Sequence, residues 1–251
     1  MLIYLLPGRY PRALFLILFF FVFPGPCLAA NAGEHVILLH GLARTERSMD
    51  RLARHLSKQG FITHSVGYPS RKKTVETLAR ETLPAAIAAC RQQGARTIHF
   101  VTHSMGGILV RYYLAHHDIP ELGRVVMISP PNGGSEVVDK LRENIFFKWL
   151  NGPAGQQMGT DETSLPNRLG PVNFVLGVIT GDRSVNLFLS WLIPGPDDGK
   201  VAVDRARVDG MADFVVVHAT HPFIMKNKQV MAQAYFFLTH GRFAQQGVSD
   251  T

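Results

Sequence analysis

Short runs of apolar, β-branched residues recur along the chain, and the stretches between them carry an apolar residue every three or four positions. Short runs are typical of strands buried on both faces, and the wider spacing is typical of helices that cover a sheet on one side. The alternation predicts an α/β fold with a mostly parallel central sheet flanked by helices. The predicted strands are 35–39, 61–66, 97–102, 124–129, 172–180 and 214–217.

The intervening stretches predict the covering helices. Met49, Leu52, Ala53 and Leu56 share one helical face, and Gly60 ends that helix. Further helices are expected at 74–93, 105–116 and 225–240.

The alternation breaks at about 132–171. A loop of roughly forty residues is unusually long for a compact domain. We therefore expect a small cap or lid insertion over a binding site, with an amphipathic helix at 135–150. Its clustered apolar residues either line an acyl pocket or only hold the insertion on the body, and they are Ile145, Phe146, Phe147, Trp149 and Leu150.

Residues 1–30 have the pattern of an export signal. Arg9 and Arg12 precede an uncharged apolar core at 13–23, and small residues follow it. This core is much shorter than the ~20 residues that span a bilayer. We expect an exported, periplasmic or secreted protein, with the segment either cleaved as a signal peptide or kept as an N-terminal membrane anchor. A single domain is predicted at 33–245.

The charge balance is basic, with 26 Lys and Arg against 19 Asp and Glu. The basic residues are scattered and no nucleic-acid-binding motif occurs, so no nucleic-acid partner is expected. Association with an anionic membrane surface remains open. Cys90 has no partner beyond residues 1–30, which argues against a disulfide framework, and we expect it to be a small buried residue on a helix. We see no Cys/His cluster, and no metal or other cofactor is expected.

A serine motif follows the third predicted strand. Ser104 lies between a strand and a helix, where a sharp turn exposes the hydroxyl and directs the backbone N–H of Met105 at a reacting carbonyl oxygen. Gly106 and Gly107 supply the small residues that such a turn needs. Thr102 departs from the motif, because glycine is usual at this position and a β-branched residue is more crowded.

Residues 40–42, His-Gly-Leu, directly follow the first strand. Alone they also fit an ordinary turn at the end of a strand. Combined with the serine motif, they predict a second oxyanion donor, the backbone N–H of Leu42.

The general base is expected after the last strand, where His218 and His221 occur. His221 lies in the loop and is the preferred base, whereas His218 is nearer the strand and is expected to be a core or wall histidine. Five further histidines lie on the wrong segments and are expected to be structural or exposed, namely His99, His103, His116, His117 and His240.

The acid that orients the base is expected between the serine and the histidine in the chain. Asp198 lies in an acidic turn before a short apolar segment, and its neighbour Asp197 is expected to be solvated. Asp182, at the end of a predicted strand, is a serious alternative. Spacing alone leaves both open.

Together these residues resemble the lipase and carboxylesterase branch of the α/β-hydrolase superfamily, in a compact bacterial form. The resemblance implies Ser104 as nucleophile, His221 as base and Asp198 as acid, and a small-molecule ester or lipid as substrate. It favours Asp198 because Asp-Gly-x-Val carries the acid in such lipases, and it implies that 132–135 opens the lid region. The matching segments are 40–45, 68–70, 103–107 and 198–201.

Other functions fit the same residues. A thioesterase, an amidase or an acyltransferase would use the same nucleophile and base. A non-catalytic scaffold or a membrane-tethered interaction protein would not need the whole set, and the intact set argues against both.

Overall fold

The computed structural model describes residues 33–245, so the predicted export signal at 1–30 lies outside the described residues. Six strands form one sheet in the order β2-β1-β3-β4-β5-β6. Every neighbouring pair is parallel, which confirms the predicted sheet. The strands are β1 Glu34–Leu39, β2 Ile62–Val66, β3 Thr97–His103, β4 Leu122–Ile128, β5 Leu176–Gly181 and β6 Asp213–Val217.

Helices cover both faces of the sheet. One face packs against the second and third helices, and the other packs against the first and the last. The predicted apolar face of the first helix is buried. No helix within 33–245 is long and apolar enough to cross a bilayer. The helices are α1 Asp50–Lys58, α2 Val75–Gln92, α3 Met105–Leu114, α4 Glu136–Leu141, α5 Ile145–Gln156, α6 Leu165–Arg168, α7 Leu187–Trp191 and α8 Lys228–His240.

The strand order reverses between β1 and β3. The chain winds from β1 outwards to β2, and then returns past β1 to β3 and on to β6. In such sheets a crevice opens at the carboxyl ends of the two strands where the order reverses. Leu42 follows β1 and Ser104 follows β3, so the topology alone brings these two segments to one edge of the sheet.

Asparagine caps set several helix boundaries that the hydrophobic pattern did not predict. The expected single helix at 135–150 is wrong, because the Asn144 side chain accepts hydrogen bonds from two backbone N–H groups and starts a new helix, α5. Asn227 likewise starts α8 three residues after the predicted position at 225. Asn186 caps α7, a helix that was not predicted.

The predicted strand at 172–180 is also shorter than expected. It begins at Leu176, because the Val172 N–H donates to the Asp209 carbonyl in a loop and not to the neighbouring strand.

Arg111, on α3, holds both ends of the inserted segment. Its guanidinium is buried and donates to the carbonyl oxygens of Asn132 and Gly170, at 3.0 and 2.7 Å. Burial lowers the pKa of this guanidinium to about 10, so it remains charged at neutral pH. The insertion, which contains α4, α5 and α6, is thus tied at its base to the helix that follows Ser104.

Candidate active site

Ser104 occupies the tight turn between β3 and α3. Its φ of 54° and ψ of −128° lie in a region that non-glycine residues rarely adopt. The turn is held by the Ser104 N–H, which donates to the Ile128 carbonyl at 2.8 Å. Gly106 allows the close approach of β1, since a Cβ there would lie 2.8 Å from the His40 oxygen and 2.9 Å from the Leu39 oxygen.

Gly107 explains how Thr102 is tolerated in place of the usual glycine. A Cβ at Gly107 would lie 3.2 Å from the Thr102 hydroxyl oxygen and 3.0 Å from the Met127 sulfur. The space for the branched side chain on β3 therefore comes from the absence of a side chain on α3.

Three side chains predicted from the sequence form one chain of hydrogen bonds. Nε2 of His221 lies 3.1 Å from the Ser104 hydroxyl oxygen. Nδ1 of the same ring lies 2.7 Å from Oδ2 of Asp198. Oδ1 of Asp198 accepts the backbone N–H groups of Lys200 and Val201, both at 3.0 Å. An ionised carboxylate can only accept a hydrogen bond, so Nδ1 of His221 carries the ring proton. Nε2 is then unprotonated and can accept the proton of the Ser104 hydroxyl.

Asp198 is completely buried. Burial alone would raise the pKa of its carboxyl group, but the adjacent His221, the hydrogen bond to that ring and the hydrogen bond from the Val201 N–H lower the pKa below its ordinary value. The side chain is therefore ionised at neutral pH, as a group that stabilises a protonated imidazole has to be.

Asp182, the alternative acid, binds another histidine. Its carboxylate lies 2.8 Å from Nδ1 of His218, whose side chain is 75% exposed. The expectation that His218 is a core or wall histidine is therefore wrong, because β6 ends before it and its ring extends into solvent. The structure brings Asp198, and not Asp182, to His221.

The expectation that Asp197 is solvated is also wrong. Asp197 is buried and accepts hydrogen bonds from the Ser190 hydroxyl at 2.5 Å and from the Gly199 N–H at 2.6 Å. These bonds tie the turn that carries Asp198 to the end of α7.

His103 contacts the site although the sequence analysis assigned it only a structural or exposed position. Its Nε2–H donates to the backbone carbonyl of His221 at 3.1 Å, and the two rings are 4.9 Å apart. Burial first, and then the neighbouring His221, lower the pKa of His103 well below its ordinary value. A neutral His103 thus positions the backbone of His221. Its place directly before Ser104 was the sequence signal.

The loop that carries Leu42 is braced by the segment after β2. The Tyr68 ring stacks on His40 with centroids 4.1 Å apart, and the Tyr68 hydroxyl donates to the His40 carbonyl. The Ser70 hydroxyl oxygen accepts the Ala43 N–H at 3.1 Å. This gives a structural reason for the Tyr-Pro-Ser segment at 68–70, and Leu42 lies with Met105 beside Ser104 in one cavity.

That cavity has a volume of about 310 Å³ and is walled mainly by apolar side chains of the insertion and α7. The two interpretations of the insertion's apolar cluster each hold for part of it: Phe147 and Leu150 line the cavity, whereas the other three residues face solvent. The other apolar wall residues from the insertion, from α7 and from the segment after Asp198 are Val137, Val138, Leu141, Met158, Leu189 and Val201.

Two cations also line the cavity, Arg44 and Lys200. The Arg44 guanidinium donates to the Pro222 carbonyl at 3.3 Å. Within 33–245, no carboxylate forms an ion pair with either side chain. The apolar cavity is therefore bordered by positive charge.

Two apolar ridges project into solvent beside the cavity. The helices α5 and α7 pack on α4 through partly buried residues that include Phe147 and Leu189, so both ridges belong to one cap. Their outer side chains are between 62% and 80% exposed. The sequence analysis missed α7, although the apolar run at 185–193 was a usable signal. The ridge residues are Ile145, Phe146 and Trp149 on α5 and Leu187, Phe188 and Trp191 on α7.

Comparison with known families identifies the family to which this fold belongs. The model of the alpha/beta hydrolase family matches residues 36–234. The chain therefore belongs to the alpha/beta hydrolase family, as its motifs predicted. No curated protein matches the sequence.

Solved structures with the same fold include lipolytic enzymes. The lipase BlEst2 of Bacillus licheniformis, in its mature form, superposes with a TM-score of 0.62 at 18% identity, over 82% of this chain and 91% of that chain. A metagenomic carboxyl esterase, MGS0156, gives 0.61 at 18% identity, over 81% and 69%. The phospholipase PlaB of Legionella pneumophila gives 0.56 at 21% identity, over 69% of this chain and 45% of that chain. At these identities the likeness establishes the fold.

Proposed function

We propose that this protein is a serine hydrolase that cleaves carboxylic esters through an acyl-enzyme intermediate on Ser104. One observation carries the proposal: a serine hydroxyl, a histidine and a buried carboxylate are hydrogen-bonded in sequence at the wall of an apolar cavity. This arrangement activates a hydroxyl that is otherwise a poor nucleophile.

In the proposed reaction, Ser104 Oγ attacks the ester carbonyl while Nε2 of His221 takes the hydroxyl proton. The tetrahedral intermediate collapses as His221 gives that proton to the leaving alcohol, and water then releases the acid by the same route. Asp198 keeps Nδ1 protonated and stabilises the imidazolium. The backbone N–H groups of Leu42 and Met105 are assigned to the developing oxyanion, each worth ~3 kcal/mol of barrier.

The walls of the cavity favour an ester with an apolar acyl chain. Among p-nitrophenyl esters we expect kcat/KM to rise with chain length until the cavity is filled. Phe147→Ala removes a ring from the wall and so enlarges the cavity. It should move the optimum acyl-chain length towards longer chains. The matched control is Phe146→Ala. The Phe146 ring is next to Phe147 in the sequence but is exposed and lies outside the cavity, so this variant should keep the chain-length preference of the wild type.

An unchanged profile in Phe147→Ala, or the same shift in both variants, would contradict this placement of the acyl chain. Thioester and amide analogues with the best acyl chain test the alternative reactions on the same residues. The proposal expects the ester to be the preferred substrate. An acyltransferase would instead show product formation that depends on an added alcohol acceptor.

We further propose that the cap docks on a lipid surface. Six large apolar side chains are exposed on α5 and α7, and the cations Arg44 and Lys200 border the cavity near them. Apolar burial combined with attraction to anionic headgroups is how interfacial proteins bind membranes. Export directed by residues 1–30 would place these ridges at envelope lipids.

The chain offers a direct probe of docking, because its two tryptophans, Trp149 and Trp191, lie one on each ridge. We expect vesicles of anionic phospholipid to shift the tryptophan emission to shorter wavelength and to sediment with the protein. The double variant Trp149→Ser and Trp191→Ser should sediment at least several-fold less. Val175→Ser, an exposed apolar residue next to β5, is the control. Equal sedimentation of all three proteins would refute the docking proposal.

A further inference from the structure

Three side chains with metal-binding atoms meet on the sheet face that α2 covers. One ring nitrogen of His35, one of His64 and the sulfur of Cys90 all lie within 4.8 Å of one another. The expectation that the chain has no Cys/His cluster is therefore wrong. The residues are widely separated in sequence, and only the pairing of β1 with β2 and the packing of α2 bring them together.

The strand register explains the approach of the two histidines. Ile37 on β1 pairs with His64 on β2, and His35 pairs with Ile62. Because alternate residues of a strand face the same side, His35 and His64 are diagonal neighbours on one face. Cys90, near the end of α2, packs over that face and is buried.

Hydrogen bonding within the cluster leaves one buried nitrogen atom without a partner. Nδ1 of His35 and Nε2 of His64 are 2.9 Å apart. The remaining nitrogen of His35, Nε2, is buried and has no hydrogen-bond partner among the described residues. A buried polar atom without a partner is costly, and a bound ion is one explanation for such an atom.

Cys90 by itself lacks the environment of a reactive cysteine. Burial raises the pKa of its thiol to about 11, so little reactive thiolate exists at neutral pH. It is a free cysteine, so no disulfide is available to it within 33–245. A thiol next to two imidazoles, however, is the donor set that selects thiophilic transition metals over magnesium or calcium.

We propose that His35, His64 and Cys90 bind one thiophilic divalent transition-metal ion, of which Zn²⁺ is the representative. Each imidazole donates a nitrogen lone pair, and the thiol proton leaves to solvent as the sulfur–metal bond forms. Zinc–nitrogen and zinc–sulfur bonds of ~2.1 and ~2.3 Å at tetrahedral angles require ligand atoms about 3.3–3.8 Å apart. Small side-chain movements would bring the three atoms to these distances. Water can supply the fourth ligand, since His64 is only half-buried.

The site is structural in this interpretation. His35 lies near the amino end of β1, whereas Leu42 and Ser104 lie beyond the carboxyl ends of β1 and β3. A rise of ~3.3 Å per residue separates the two edges of the sheet by more than 10 Å. The ion would join β1, the edge strand β2 and α2. It is therefore expected to raise stability and to leave the ester reaction unaffected.

The test uses the purified protein without a histidine tag, stripped of metal with a chelator. Co²⁺ should produce the near-ultraviolet absorption of a thiolate–cobalt bond at one ion per chain, and Zn²⁺ should remove it. Free Zn²⁺ at about 100 times Kd should raise Tm by about 5–10 °C. Cys90→Ser should abolish the cobalt–thiolate absorption, and His64→Ala should weaken Zn²⁺ binding at least tenfold.

His116→Ala removes an exposed histidine outside the cluster and controls for surface binding, so it should bind Co²⁺ as the wild type does. Circular dichroism checks that each variant is folded. The wild type alone is decisive if a variant is not: absence of both the thiolate–cobalt absorption and the Zn²⁺-dependent rise in Tm would overturn the proposal. Metal binding that persists in Cys90→Ser with unchanged affinity would overturn it as well.

Discussion

Ser104→Ala is expected to lower kcat on a soluble ester by roughly 10⁴-fold or more and to abolish labelling by a fluorophosphonate probe. The reason is that, in the proposed mechanism, the acyl-enzyme cannot form without the Ser104 hydroxyl. Ser57→Ala removes an exposed hydroxyl on α1 and should keep both labelling and turnover. Circular dichroism should show that the variants are folded.

The same experiment tests whether the two side chains act as one unit. His221→Ala should lose about as much activity as Ser104→Ala, and the double variant should be no slower than either single one, because each change already removes the same step. A wild-type protein that the probe does not label would favour the non-catalytic scaffold. Labelling that persists in Ser104→Ala would place the nucleophile elsewhere.

Asp198→Asn is expected to lower kcat by roughly 10⁴-fold, the cost that follows when the orienting acid becomes an amide. The amide NH₂ would favour the ring tautomer with Nδ1 as acceptor, which places a proton on Nε2 where the Ser104 proton has to go. Asp182→Asn should change kcat less than twofold, because Asp182 pairs with the exposed His218 and not with His221. The measurement is kcat for both variants on one soluble ester, and the reverse ranking would contradict the proposed acid.

The pKa of Asp198 adds a stability effect with a definite sign. Because folding lowers the pKa of this carboxyl group, its ionised form stabilises the folded protein at pH values above the unfolded pKa. That contribution is lost as the pH falls through the folded pKa. The Tm difference between wild type and Asp198→Asn should therefore shrink in acid.

Features that depend on local pattern and on chain order could be predicted from the amino-acid sequence. Strands of a buried parallel sheet need continuous apolar runs. The positions of these runs along the chain therefore predicted the six strands and the class of fold. The turn at Ser104 needs small residues at fixed offsets, because Gly106 approaches the β1 backbone too closely for any side chain. This steric demand is local, and the motif therefore predicted both the turn and the family.

Contacts between distant side chains could not be predicted where the sequence leaves several partners open, and the fold selects among those partners. Asp182 and Asp198 both precede His221, and packing of the turn that carries Asp198 against the histidine loop brings one of them to it. Packing also buries Asp197, exposes His218 and directs three of the five clustered apolar residues of α5 into solvent. These outcomes are set by contacts between segments that are far apart in the sequence. The environment of each residue depends on which segment packs against it. No local sequence pattern specifies which segment packs against a given residue.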